Sequence, residues 1–452
     1  MIFRKTSAQA KRGSRFAEKH TTGASLSKKN RISIVFFPIF TKTEENCIIR
    51  ETAGFIMNTE KYFDWASTAP ADEDILRKAL EKSIEFAANP SSAHQEGLEA
   101  RKEIESCRER CAKVLGVKKE TVVFTSGGTE SDQIPILTLL RRPSAGSIII
   151  SNIEHPAVAK QAEMLKHCGW KILKAECNQR GIVTPEAVVS KIESDTAMVC
   201  IMAVNNETGA IQPIYEISDA ITKHCAGKRR PKLHIDAVQA AGKIPLELSY
   251  KGIDFAAISG HKICGPRGIG LLYAANKPEC FLTGGGQESG IRSGTENLFG
   301  IEALTECLER YYMRSGNAAK DSENLKKLAV LEEKKMITGK FINHLKELPF
   351  CTILPESRTA DDGDFSFSVV QASFENLPGQ VLVRELSDRG FCISTGSACS
   401  TNKNERPILN AMGVKGDLAK NAVRFSFSAH STEDGMEELF KAVKESVEKF
   451  NR

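Results

Sequence analysis

The sequence predicts an α/β fold: an open, mostly parallel sheet covered by helices, followed by a smaller α+β unit. Three observations carry that prediction. Short β-branched runs alternate with amphipathic helical stretches between residues 121 and 259, and strand–helix alternation favours a parallel sheet with both faces covered. Polar and glycine-containing segments follow strand after strand, where ligands sit in such sheets. Beyond about residue 350 the pattern changes to β-rich runs with one closing helix.

Taken in order, "TVVF" (121–124), "SIIIS" (147–151), "WKILKA" (170–175), "AMVCIMAV" (197–204), "KLHID" (232–236) and "DFAAIS" (254–259) read as buried strands. "GLEARKEIESCRERCAKVLG", "PAVAKQAEMLKHCG" and "IYEISDAITKHCAG" carry the spacing of helices between them. A long helical stretch rich in Lys and Glu spans about 300 to 348. "FSFSVVQ", "FCIST" and "AVRFSFS" are the strands of the small unit, and a helix starts at Thr432. No internal repeat or low-complexity block interrupts this order.

The 452 residues are 41% hydrophobic and 26% charged, the balance of a globular protein with a sizeable core. No apolar run reaches the roughly 18 residues a membrane helix needs; the longest, 32–40, is broken by Pro38. The charge is uneven. Residues 1–43 hold ten basic residues and one acid, Glu18, so this stretch carries +9 and the remainder −4 of a net +5. The body offers no basic face for stable nucleic-acid binding. The basic stretch reads as a disordered leader or an open reading frame begun too far upstream or, alternatively, a mitochondrial targeting segment. The 13 cysteines include no C-x-x-C. Reduced thiols and a cytoplasmic location fit this usage, with the mitochondrial matrix as the alternative. Cys107 and Cys111 share one helix face and read as core packing.

The polar segments hold the candidate chemistry. "TSGGTESDQ" follows the first strand, and a Gly-rich helix start can hold an anion or be an ordinary capped turn. His155 precedes a Pro-started helix. Asn205 and Asn206 end the fourth strand, where amides serve a turn or a ligand. Asp236 ends "KLHID", and a buried carboxylate needs a cation or a helix N-terminus. Lys262 follows "DFAAIS" within "GHKICGPRGIG"; a desolvated lysine suits Schiff-base chemistry. A lysine for an imine, an aspartate for a pyridinium nitrogen and a glycine-rich helix start for a phosphate are together the parts of a pyridoxal phosphate site. "STGSACS" (394–400) places Cys399 on a run of small residues, a poor setting for a structural thiol.

On "YFDWASTAP", "NPSSAHQEG", "FTSGGTESDQ", "NIEHPAV", "VNNETGAIQP", "HIDAVQAAGKIP", "SGHKICGPRGIG", "GGGQESGIRSGTEN", "STGSACS" and "VRFSFS", in that order from Tyr62 to Ser428, the chain resembles the NifS/IscS-type cysteine desulfurases. These are class V, fold-type I pyridoxal phosphate enzymes. The resemblance implies that Lys262 bonds the cofactor covalently and that His155 stacks on its ring and moves protons. It implies that Asp236 pairs with the ring nitrogen, with Asn206 and Gln239 at the ring hydroxyl. Gly128, Thr129, Ser259, His261 and, from the partner of a homodimer, Thr295 would hold the phosphate. Arg424 and Asn89 would bind the substrate carboxylate, a task suited to the guanidinium fork. Cys399 would take sulfur from L-cysteine as a persulfide, leave L-alanine, and deliver the sulfur to acceptors such as an iron–sulfur scaffold or a tRNA-thiolation system. A nucleophile that travels needs a pliant loop.

The resemblance also divides the chain into a leader (1–57), a large cofactor-binding domain (72–316) and a small domain (58–71 with 317–452) carrying the cysteine loop. Gln133, Pro135, Ser289, Trp65 and Ala429 depart from the family pattern, and Pro135 is expected to bend its helix. Another class V aminotransferase or a selenocysteine lyase is the alternative enzyme reading, and a non-catalytic scaffold the alternative of another kind.

Overall fold

The computed structural model describes residues 58–315, 321–396 and 406–451. The basic leader and Cys399 lie outside the described residues. Seven strands form the large sheet: β1 Val122–Thr125, β2 Ser147–Ser151, β3 Lys171–Ala175, β4 Thr196–Met202, β5 Lys232–Asp236, β6 Phe255–Ser259 and β7 Gly270–Ala274. Their spatial order is β1-β7-β6-β5-β4-β2-β3. The run from β6 through β3 is parallel, whereas β7 is antiparallel to both β6 and β1.

β1, β2, β4, β6 and β7 are buried at every position. That explains why they read as continuous apolar runs rather than alternating ones: helices cover both faces. The predicted strands fall within a residue or two of those observed. β7 was not foreseen. Its "GLLYA" follows a glycine-rich loop and shows no periodicity of its own.

The helix Gln95–Leu115 starts at His94, whose ring accepts from Gly97 N, and stops at Gly116 in the left-handed conformation (φ 70°). Cys107 and Cys111 lie fully buried on its inner face, and burial pushes the Cys111 thiol up to about 12. The helix Gly128–Leu137 contains Pro135 and tightens into a 3-10 turn over Thr138–Arg141. Pro135 supplies no N–H, so the regular ladder does not run on. The predicted 300–348 stretch is two helices, Leu298–Tyr311 and Ser322–Glu347.

The smaller antiparallel sheet has the order β10-β9-β8, with β8 Cys351–Leu354, β9 Val369–Phe374 and β10 Ala422–Ser426. It packs a second core with Phe341, Phe374, Phe425, Phe427 and the closing helix Glu433–Phe450. "FCIST" is not a ladder strand. It makes single bridges, Cys392 to Tyr62 and Ser394 to Arg424. These bridges bring the start of the small-residue run against β10 and the 62–64 segment.

Candidate active site

The carboxyl ends of β5 and β6 lie side by side, with Asp236 in register with Ala257 on one side and Met202 on the other. Asp236 is buried, and its Oδ1 accepts from Val238 N at 2.9 Å. Burial raises its pKa, against the pull of His155, the Val238 N–H and Lys262. His155 caps the helix Pro156–His167, its Nδ1 accepting from Ala157 N at 3.1 Å. That bond puts the proton of the neutral ring on Nε2. Burial lowers the pKa of His155, Asp236 raises it, and Lys262 lowers it again. Three residues from three strand ends therefore act on one another.

Lys262 ends the 3-10 turn Gly260–Lys262, directly after β6. Its Nζ donates to Ala66 O at 2.7 Å and to Ser67 O at 2.6 Å. Gln239 Nε2 donates to the same Ala66 oxygen at 2.8 Å. His261 shares a hydrogen bond with Thr68 Oγ1 at 3.0 Å, and burial with nearby cations brings its pKa down to about 4. Residues 66–68 thus cover one side of the lysine.

Gly128 opens the helix after β1. A Cβ there would fall 2.6 Å from Val238 Cγ2 and 3.3 Å from Ser259 Cβ, so glycine is required by close approach. Ser259 is buried and Thr129 exposed at this helix start. Gly127 caps the helix without a side chain. Glu130 accepts from Ser126 N and pairs with Arg292. The two adjacent asparagines divide the work. Asn205 Oδ1 accepts from Glu207 N and Thr208 N and shapes the turn. Asn206 Oδ1 is buried without a partner.

Arg424 of β10 is 3% exposed. Its guanidinium donates to Asp64 Oδ1 at 2.8 Å, Ser67 Oγ at 2.6 Å and Asn206 O at 2.9 Å, while Nε has no partner. Ser394 and Arg424 exchange backbone hydrogen bonds at 3.2 and 2.6 Å, so residue 394 lies beside this arginine. Gly396 (φ 92°) follows, and its Cβ position lies 3.4 Å from the Glu207 carboxylate. Glu207 is buried, which raises its pKa; Arg406 and Arg424 oppose the shift.

Of the sequence-predicted residues, Lys262, Asp236, His155, Asn206, Gln239, Ser259, His261, Gly128 and Arg424 are brought together through these bonds, contacts and electrostatic interactions. Asn89 and Thr295 are exposed. Asn89 Oδ1 accepts from Ser91 N, and no hydrogen bond among the described residues ties Thr295 to Lys262. Asp64, Ser67, Glu207 and Lys243 were missed. Each lies in a segment already quoted, but a charge or hydroxyl that serves another side chain has no spacing signature.

The aminotransferase class-V family model matches residues 61–439. The chain belongs to this family, in its cysteine desulfurase branch. It is 31% identical over 398 residues to the cysteine desulfurase IscS of Dictyoglomus turgidum, covering 87% of this chain and 96% of that one. It is 34% identical to a NifS/IcsS protein homolog of Lactobacillus delbrueckii subsp. bulgaricus, covering 86% and 98%. A solved NifS-like protein superposes with a TM-score of 0.75 at 31% identity, over 86% of this chain and 99% of that one. A structure titled SspA in complex with cysteine gives a TM-score of 0.67 at 29% identity, over 82% and 100%. The fold is the fold-type I architecture expected from the resemblance.

Proposed function

We propose that this enzyme is a pyridoxal phosphate-dependent cysteine desulfurase that moves the sulfur of L-cysteine onto Cys399 and releases L-alanine. The observation that carries the reading is the electrostatic interaction of Lys262, Asp236 and His155, which lie at or just after the carboxyl ends of β6, β5 and β2, in a chain of this family. The described residues fit the cofactor. Asn206 Oδ1 is a buried acceptor without a partner. Asp236 is a buried acid whose Oδ1 bonds one backbone N–H. Gly128 leaves a cradle that a Cβ would close. When bound, pyridoxal phosphate supplies an electrophilic carbon for amines and an electron sink for the substrate α-carbon.

The chain's own groups account for the rest. Lys262 is the covalent anchor and, once released, a base within reach of the substrate. Asp236 favours a protonated ring nitrogen, since a buried carboxylate is stabilised by an adjacent cation. The ring of His155 is held by the helix cap, with Nε2 left for proton movement. Gly128, Thr129, Ser259 and His261 form the phosphate end, and Gln239 and Asn206 the ring-hydroxyl end. Arg424 receives the substrate carboxylate in place of one of its contacts with Asp64 and Ser67; Asn89 completes that subsite. Cys399 attacks as the thiolate. Its electron pair forms the S–S bond, the pair of the breaking Cβ–S bond stays with carbon, and that carbon takes a proton as alanine forms. The persulfide sulfur then passes to an acceptor for iron–sulfur cluster or thio-cofactor assembly.

Residues 72–316 act as the cofactor domain, and 58–71 with 317–452 as the domain carrying the cysteine loop. Thr295 serves the partner's phosphate site in a homodimer. The location is the cytoplasm. The solved relative titled as a complex with cysteine favours L-cysteine as substrate. The test is direct. Purified protein is yellow, borohydride fixes the cofactor to Lys262, and L-cysteine yields alanine. Lys262→Ala gives neither the borohydride-fixed lysine adduct nor alanine. An unchanged adduct in that variant overturns the assignment.

A further inference from the structure

One buried charge near this site has no part in the scheme above. Lys243 is 6% exposed, in the turn that follows β5. Lysine is rarely buried unless paired. Among the described residues, no carboxylate lies within ion-pair distance of it. Its Nζ donates instead to a neutral acceptor, Gln239 Oε1, at 2.5 Å. The backbone explains the pairing. Ala241 N bonds Ala237 O, and Lys243 N and Ile244 N both bond Ala240 O, which winds 237–244 into helix-like turns. Residues 239 and 243 then share one face, as i and i+4 positions do.

The consequence falls on the orientation of an amide. A glutamine offers an acceptor on one side and two donors on the other, and the two ends have nearly the same shape. As an ammonium the lysine has only donors, so it accepts one of the two orientations. With Oε1 held by Lys243, Nε2 points to Ala66 O at 2.8 Å, the oxygen that also accepts from Lys262 at 2.7 Å. A continuous path runs from Lys243 through Gln239 to the carbonyl under Lys262. Burial lowers the pKa of Lys243 to about 7, with Lys262 and Arg424 adding to the shift. The ammonium form is the one that excludes the opposite orientation, since a neutral amine also carries an acceptor lone pair.

We propose that Lys243 is a positioning residue, which locks the Gln239 side chain with its NH2 group facing the Lys262 pocket and so presents a donor to the cofactor's ring oxygen. This rests on the reading of the pocket as a pyridoxal phosphate site. The experiment compares wild type, Lys243→Met, Gln239→Leu and the double variant, each as full-length chain reconstituted with pyridoxal phosphate. The readouts are the cofactor dissociation constant, the pH midpoint of its visible band, and the melting temperature without cofactor. Loss of one oriented hydrogen bond weakens cofactor binding by up to about tenfold in Lys243→Met. The same substitution changes binding less than about twofold in the Gln239→Leu background, because coupled residues are not additive. The band midpoint moves in Lys243→Met and is restored by Lys243→Arg.

Equal effects in both backgrounds, or unchanged affinity and band midpoint, overturn the proposal. Should Lys243→Met not fold, Gln239→Glu replaces it. That variant keeps the acceptor for Lys243 and removes the NH2 group, so it retains its melting temperature and loses cofactor affinity; retained affinity overturns the proposal. Failure of the wild type to take up the cofactor overturns the pocket reading as well. Normal wild-type uptake with additive variants overturns this inference alone.

Discussion

Arg108 offers the sharpest test of how the site's frame is held. It lies on the inner face of the helix Gln95–Leu115, with its side chain 11% exposed against 1% for that of Glu288. Its two terminal nitrogens each donate to a Glu288 oxygen at 2.7 Å, and Nη1 also donates to Val122 O. Glu288 accepts in turn from Phe124 N at 2.7 Å. The pair therefore ties a helix and β1 to the loop that leads to Thr295. At an effective dielectric of about 20, unit charges at this separation attract by roughly 6 kcal/mol. Desolvation offsets much of that, but Arg108→Met leaves the carboxylate buried and unpaired. Truncating one partner of such a pair costs about 3–5 kcal/mol. At roughly 2 °C per kcal/mol for a chain of this size, the melting temperature falls by about 6–10 °C. Arg108→Met/Glu288→Gln removes the stranded charge while keeping an acceptor for Phe124 N, so it recovers at least half of the loss. Calorimetry or urea unfolding of the four proteins reads this out. A single variant within about 1 kcal/mol of wild type, or a double variant no better than the single, would refute the reasoning.

Other perturbations probe the site itself. Gly128→Ala, whose Cβ would meet Val238 Cγ2 at 2.6 Å, loses most cofactor retention on gel filtration; retention equal to wild type would contradict the cradle. His234 is fully buried against Asp132, and burial depresses its pKa to about 3. The unfolded chain takes up that proton near pH 6.5 while the fold does not, so the His234 contribution to stability falls as pH drops from about 6.5 towards 3, whereas Asp132, whose pKa burial raises, contributes in the opposite sense. The contribution is about 1.4 kcal/mol per pH unit. Between pH 6 and 4, His234→Gln should lower the slope of stability against pH by up to that amount relative to wild type, and parallel slopes would count against it. Thr295→Val should lower cofactor occupancy in a protein that sediments as a dimer; a fully active monomer would exclude the partner role.

Much of this was legible in the sequence because the large sheet is buried on both faces. β2 and β5 match the predicted runs "SIIIS" and "KLHID" residue for residue. β7 and β8 were missed, since four or five apolar residues beside glycines or after a helix have no period to distinguish them. "FCIST" has strand composition but makes only single bridges, since composition does not encode a pairing partner. In the site, residues that stand alone at strand ends, such as Asp236 and Lys262, were visible. Asp64 and Lys243 were not, because each acts by bonding another side chain, Arg424 and Gln239, and neither bond leaves a mark in the order of residues.

If sulfur leaves L-cysteine by way of Cys399, removing that thiol must stop the reaction. Wild-type and Cys399→Ser protein are each incubated with L-cysteine. Released alanine is quantified, and the extra sulfur is mapped by mass spectrometry of the digested chain. One added sulfur is expected on Cys399 in the wild type. The variant should bind cofactor unimpaired with alanine release near zero, since a serine hydroxyl is a far poorer nucleophile than a thiolate. Alanine release at the wild-type rate from Cys399→Ser, with the extra sulfur on Cys392 or Cys264 instead, would contradict that route.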